Sequence, residues 1–134
     1  VSNYIQVAPW IAANDTGFLI VWCDVSPGAT AGRLLGIFSN DNGADWSDPA
    51  SIINNTTNAN GPPTVIGTNS GFLVTWWQTD NSIQSSFSSD GTSWSSAQTI
   101  NLDNINYPLA PPLATGIGDT FYGCLAKRDW KRLF

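Results

Sequence analysis

Short apolar runs alternate along the chain with clusters of Gly, Asn, Asp, Ser and Pro, and the alternation repeats. Pro9–Trp22 reads P-W-I-A-A-N-D-T-G-F-L-I-V-W, and Pro63–Trp76 reads P-T-V-I-G-T-N-S-G-F-L-V-T-W. The two align without a gap. A third copy, P-L-A-T-G-I-G-D-T-F-Y-G-C-L, begins at Pro112. A second motif also recurs, S-N-D-N-G-A-D-W-S from Ser39 and S-S-D-G-T-S-W-S from Ser88. Runs rich in Val, Ile, Phe, Trp and Thr, bounded by turn formers, read as β-strands. No stretch within the repeats sustains the 3.6-residue apolar period of a helix.

Four strands are expected per repeat. In the first they cover roughly 8–13, 17–24, 33–39 and 50–54, and in the second roughly 63–67, 71–78, 82–88 and 96–101. The Asn14–Gly17 and Thr68–Gly71 stretches supply the first hairpin turn of each repeat. In Phe72–Trp77 alternate side chains are apolar on both faces, which suits a sheet covered on both sides. Core packing accounts for these tryptophans, and sugar stacking is their alternative use. An antiparallel four-stranded unit recurring every 40–50 residues has the period of a β-propeller blade. The chain therefore reads as one incomplete all-β domain, 1–134. It holds a first blade at about 8–54, a second at about 63–101, part of a third at about 111–126 and an atypical tail, 127–134.

Composition narrows the chemistry. The 134 residues include no His and no Met, and all ten acids are Asp. A His-based triad, a His-ligated metal and any step needing Glu are thereby excluded for this chain alone. Charged residues make up 11 %, less than half the usual share of about 25 %. The formal net charge is −5, which argues against nucleic acid as a partner, because affinity for phosphates comes from Lys and Arg. Residues 1–126 hold a single base, Arg33, while Lys127, Arg128, Lys131 and Arg132 crowd the tail. The tail spacing of Trp130, Leu133 and Phe134 is more helical than extended. The longest apolar run, Phe18–Cys23, is far below the roughly 18 residues of a membrane span. Cys23 and Cys124 occupy the same parity of equivalent strands, so buried free thiols are expected rather than a disulfide. No cofactor or metal spacing is present.

The pattern S-x-D-x-G-x-x-W at Ser39, Asp41, Gly43 and Trp46 resembles the Asp-box, or BNR repeat, of the sialidase (neuraminidase) superfamily. Ser88, Asp90, Gly91 and Trp94 resemble it with one residue fewer before the glycine. Both lie between the third and fourth expected strands, where the family places them. The motif is structural. Ser and Asp side chains hydrogen-bond backbone N–H groups in a tight turn, Gly supplies positive φ, and Trp folds back to bury its ring. The resemblance implies a β-propeller; three blades per chain, completed by strand exchange between two copies, would close a ring of six.

Sialidase chemistry does not carry over by motif. Enzymes of that family use three arginines, a Tyr paired with a Glu, and an Asp acid/base, and they carry an F-R-I-P-like segment. This chain has neither the segment nor any Glu, so no residue is assigned as catalytic. A carboxylate pair could in principle be two Asp. Asp41, Asp45 and Asp48 cluster in sequence, as do Asp80 and Asp90, but turns explain most of them. Asp24, Asp103 and Asp119 have no evident turn role. The Asp41–Asp45 stretch is oxygen-rich like a calcium loop, yet it lacks the terminal bidentate acid, so no metal is expected.

Ligand contacts are expected instead on the linkers 54–62 and 101–111, which in a propeller cross one face of the disc. They carry Asn58, Asn60, Asp103, Asn106 and Tyr107, whose amide, carboxylate and aromatic groups suit carbohydrate. A polar surface loop is the simpler reading of the same residues. Asn14, Asn54 and Asn55 match N-x-[ST] sequons. The expected function is a secreted or extracellular, glycan-binding or glycan-related propeller segment without its own catalytic set. A piece of an exo-sialidase-like glycoside hydrolase whose catalytic residues lie elsewhere is the alternative, as is a protein-interaction scaffold. Propellers need about four to eight blades, so the ring must close with further blades or by self-association. Residues 2–7 look like an outer strand that two copies could exchange.

Overall fold

In a computed structural model, residues 5–52, 58–100 and 112–124 are described. They form ten antiparallel strands, with no helix among the described residues. The first sheet runs β1 (Ile5–Asn14), β2 (Gly17–Val25), β3 (Gly32–Ser39) and β4 (Ala50–Ser51), in that spatial order. The second repeats it with β5 (Thr64–Thr68), β6 (Gly71–Trp77), β7 (Ile83–Ser88) and β8 (Gln98–Ile100). A hairpin, β9 (Leu113–Ile117) and β10 (Thr120–Cys124), begins a third unit. Each unit is a simple up-and-down meander, its successive strands pairing antiparallel with their neighbours in sequence.

The turn glycines show why the repeat keeps its spelling. Gly17 and Gly71 open β2 and β6 with φ of 149° and 144°. A Cβ at Gly17 would run into the carbonyl oxygen of Ser39, and one at Gly71 into that of Ser88. The third copy has Thr120 at the equivalent place.

The first strand differs from expectation. Residues 5–7 are not a separate outer strand but the start of β1, with Ile5 opposite Val25 and Val7 opposite Cys23. The register slips between Val7 and Trp10, so Ala8 and Pro9 together face Trp22. This is a β-bulge. It absorbs a proline that has no N–H to give the ladder, and Ala8 takes φ of 48° to make it.

Side-chain parity explains how the units pack. Leu19, Val21 and Leu34 point to one face of the first sheet, Phe72, Val74 and Trp76 to one face of the second, and these faces together form the buried core. Phe38 meets Phe72 edge-on with ring centroids 5.9 Å apart. Phe87 meets Phe121 in the same way at 5.8 Å. One junction is thus used twice, from the third strand of one unit to the second strand of the next. The first strands of the units also touch in series, β1 with β5 and β5 with β9. Small residues permit this: a Cβ on Gly67 would strike the Ala13 carbonyl, and one on Gly116 the Thr68 methyl. Polar bonds seal the same line. Asn14 Nδ2 donates to the Thr68 carbonyl at 3.1 Å, and the Thr64 hydroxyl donates to the Pro112 carbonyl.

Cys23 is buried as a free thiol. Burial first, and the neighbouring Asp24 charge second, push its pKa up to about 11. The Cys124 side chain and the tail 127–134 lie outside the described residues.

Candidate functional site

The two ends of the sheets do different work. At one end sit the paired Ser-Asp-Gly-Trp turns. The Ser39 hydroxyl donates to Asp41 Oδ1 at 2.7 Å and accepts from Gly43 N at 2.9 Å. Asp41 then accepts from Asp45 N with both oxygens, each at 3.0 Å. In the second copy Ser88 donates to Asp90 Oδ1 at 3.0 Å and accepts from Gly91 N at 2.8 Å. Asp90 Oδ1 accepts from Thr92 N and Ser93 N, both at 2.7 Å. Gly43 and Gly91 take φ of 86° and 78°. The backbone N–H donors hold both Asp41 and Asp90 below their ordinary carboxylate range. Asp41 is thus built into the turn, as the structural reading of the motif expects.

The motif extends one residue further than the sequence pattern assigned. The Ser47 hydroxyl accepts from Phe38 N at 3.0 Å, while Ser47 N donates to the Phe38 carbonyl at 2.9 Å. Ser95 does the same with Phe87, at 3.0 Å and 2.8 Å. The signal was present, since Ser follows Trp in both copies. The tryptophans diverge. Trp94 packs against the core. Trp46 is 37 % exposed, with its indole N–H on the Gly43 carbonyl at 3.2 Å. The expectation that both bury their rings fails for Trp46. Gly91, in the second turn, lies against Phe38 of the preceding sheet, and the first turn has no preceding described sheet to lie against.

The opposite end gathers the groups that could meet a ligand. Ala59 bridges Gly32, at the start of β3, and Gln78, just past β6. Its N–H and carbonyl pair with Gly32 at 3.0 Å and 2.8 Å. Asn60 N donates to the Trp77 carbonyl at 2.8 Å, and Thr79 N to the Asn58 carbonyl at 3.1 Å. The linker is therefore a pinned crosspiece between two sheets. Ala59 faces in, and Asn58 and Asn60 are exposed on either side of it.

Next to this crosspiece, Asp24 and Arg33 are direct partners across β2 and β3. Arg33 Nε and Nη2 both donate to Asp24 Oδ2, at 3.0 Å and 2.9 Å. Asp24 is 3 % exposed and Arg33 is 43 % exposed, so a buried carboxylate backs a guanidinium that reaches solvent. Asp24 Oδ1 is buried without a hydrogen-bond partner. This pair gives Asp24 the role the sequence left open.

Other acids are not brought together. Asp80, held below its ordinary range by the Ser82 hydroxyl and N–H, closes the β6–β7 turn. Asp90 lies at the far end of β7. Asp119 sits in the β9–β10 turn, at the end opposite Asp24. Asp24 and Asp119 therefore form no catalytic pair. Asp103, Asn106 and Tyr107 lie outside the described residues, as do Asn54 and Asn55. Asn14 is committed to structure, because its amide joins two sheets and its oxygen accepts from Thr16 N at 2.9 Å. Among the described residues no three Cys or Asp side chains gather around a metal position. Among the described residues, the linker end offers exposed amides and one anchored guanidinium, a set suited to hydroxyl or carboxylate groups by hydrogen bonding.

Comparison with protein-family models, with curated proteins and with solved structures returned no match.

Proposed function

We propose that this chain is a run of Asp-box β-propeller blades of sialidase-like type that binds carbohydrate without performing hydrolysis. The observation that carries this reading is the hydrogen-bond pattern of Ser39–Asp41–Gly43, repeated at Ser88–Asp90–Gly91 between the third and fourth strands of two stacked meanders. In a propeller the loops opposite such turns face the ligand side, and here those loops carry Asn58, Asn60 and the Asp24–Arg33 pair. Sugars are bound by such planar amide and guanidinium groups, which match pairs of hydroxyls or a sugar carboxylate. A secreted or extracellular setting suits that role.

A glycan array probed with the labelled chain tests it. Retention on a defined glycan class, weakened by Asn58→Ala or Asn60→Ala, is the expected result. No retention on any glycan, or retention indifferent to both substitutions and to Arg33→Ala, overturns this site.

A further inference from the structure

Among the described residues, the repeated junction has two ends that meet no further unit. Within the chain, the face of one unit that carries Leu19, Val21 and Phe38 covers the face of the next that carries Phe72, Val74 and Trp76. All three of the covered residues are fully buried. The equivalent face of the first sheet carries Ile11, Phe18, Ile20, Trp22, Leu35 and Ile37. None of these six is buried; Ile11 is 58 % exposed. They are at least as apolar as the covered set, since Leu35 and Ile37 stand where the second sheet has Gln84 and Ser86. A patch of this kind marks an association surface.

The other end of the series is open too. On β9–β10, Phe121 faces back toward Phe87. The opposite face of the hairpin carries Thr115, Ile117 and Thr120, all exposed, with Ile117 at 74 %. By parity this is the face that, in the first two units, covers the next unit.

We infer that the open face of the first sheet receives the open face of the β9–β10 hairpin from a second copy of this chain. The junction already made twice inside the chain points to the occupant: the rear of a unit of the same kind, of which the described hairpin supplies the first two strands. The contact is head-to-tail. It joins different faces, and when two copies make it reciprocally the series closes without a free end. The inference rests on the blade reading above but not on carbohydrate binding, so glycan retention and solution mass fail separately.

Size-exclusion chromatography with light scattering on the whole chain tests it. The expected mass is a discrete multiple of 14.4 kDa. Ile20→Glu on one face and Ile117→Lys on the other should each reduce the mass to that of a single chain. Both positions are accessible in the single chain, and an unchanged far-ultraviolet circular dichroism spectrum verifies that each variant folds. An equimolar mixture of the two variants should recover assembly, because one carries an intact hairpin face and the other an intact sheet face. A wild-type monomer overturns the inference. So does a mass that survives Ile117→Lys, which would mean that first sheets pair face-to-face.

Discussion

Phe38 stands edge-on to Phe72 across the junction between two sheets, with the rings at 73°. The pair occupies equivalent places in successive repeats, third strand to second strand, and Phe87 and Phe121 reproduce it. This geometry sets the ring edge of one against the π-face of the other, a favourable arrangement beyond simple burial. Phe72→Ala should lower the unfolding free energy by about 3–5 kcal/mol, through lost burial plus the cavity left behind. Urea denaturation measures it. A loss below about 1 kcal/mol would mean that the junction does not hold the two sheets together.

Gly17 and Gly71 make a sharper test of the turn geometry. Each has positive φ and each faces a serine carbonyl where a Cβ would sit. Gly17→Ala and Gly71→Ala should destabilise by clearly more than Gly28→Ala. Gly28 has φ of 81° with nothing within 4 Å of its would-be Cβ, so that variant carries backbone strain alone, about 1–2 kcal/mol. Equal thermal shifts in the three variants would show that the Ser39 and Ser88 carbonyls do not constrain the strand starts.

The carboxylates of the two Ser-Asp-Gly turns predict a response to acid. Asp41 and Asp90 have folded-state pKa values below their ordinary 3.8. The unfolded chain therefore binds more protons as pH falls, and the stability these groups contribute is present above about pH 4 and lost below it. Stability measured from pH 5 to pH 2 should fall. In Asp90→Asn the starting stability should be lower and the fall shallower. An identical slope in wild type and variant would count against Asp90 as a contributor.

Removing one partner of Asp24–Arg33 leaves a buried carboxylate without its counter-charge. Arg33→Ala should cost about 1–3 kcal/mol, and the double variant Asp24→Ala/Arg33→Ala should recover part of that loss. A double-mutant cycle reads the coupling directly. Zero coupling would reduce the pair to a surface contact.

Cys23 should be inert in the folded state. It is buried, and its thiol is pushed up to about 11, so little thiolate exists at pH 8. In a Cys124→Ser background, a disulfide reagent should label Cys23 only as the protein unfolds. Fast labelling of the native chain would contradict the buried position.

Much was legible in one dimension. The strands, their order of turns and both Ser-Asp-Gly turns depend on residues a few positions apart, so local chemistry writes them into the spelling: Gly where φ must be positive, Ser and Asp where backbone N–H groups need partners, alternating apolar residues where a pleat has two covered faces. The repeat itself announced that one packing solution is used more than once. What the sequence could not settle depends on which surface lies beside which. The bulge at Ala8–Pro9 merged residues 5–7, expected as a separate outer strand, with β1, because both stretches pair with β2. Asp24 looked like an unassigned acid until β3 set Arg33 opposite it. Asp80 and Asp90 looked like neighbours until a strand separated them. Trp46 and Trp94 share a motif, but only Trp94 has a preceding sheet to pack on. Two closely similar local patterns therefore came to different ends, because burial is decided by neighbours in space and no residue carries its neighbour in its own name.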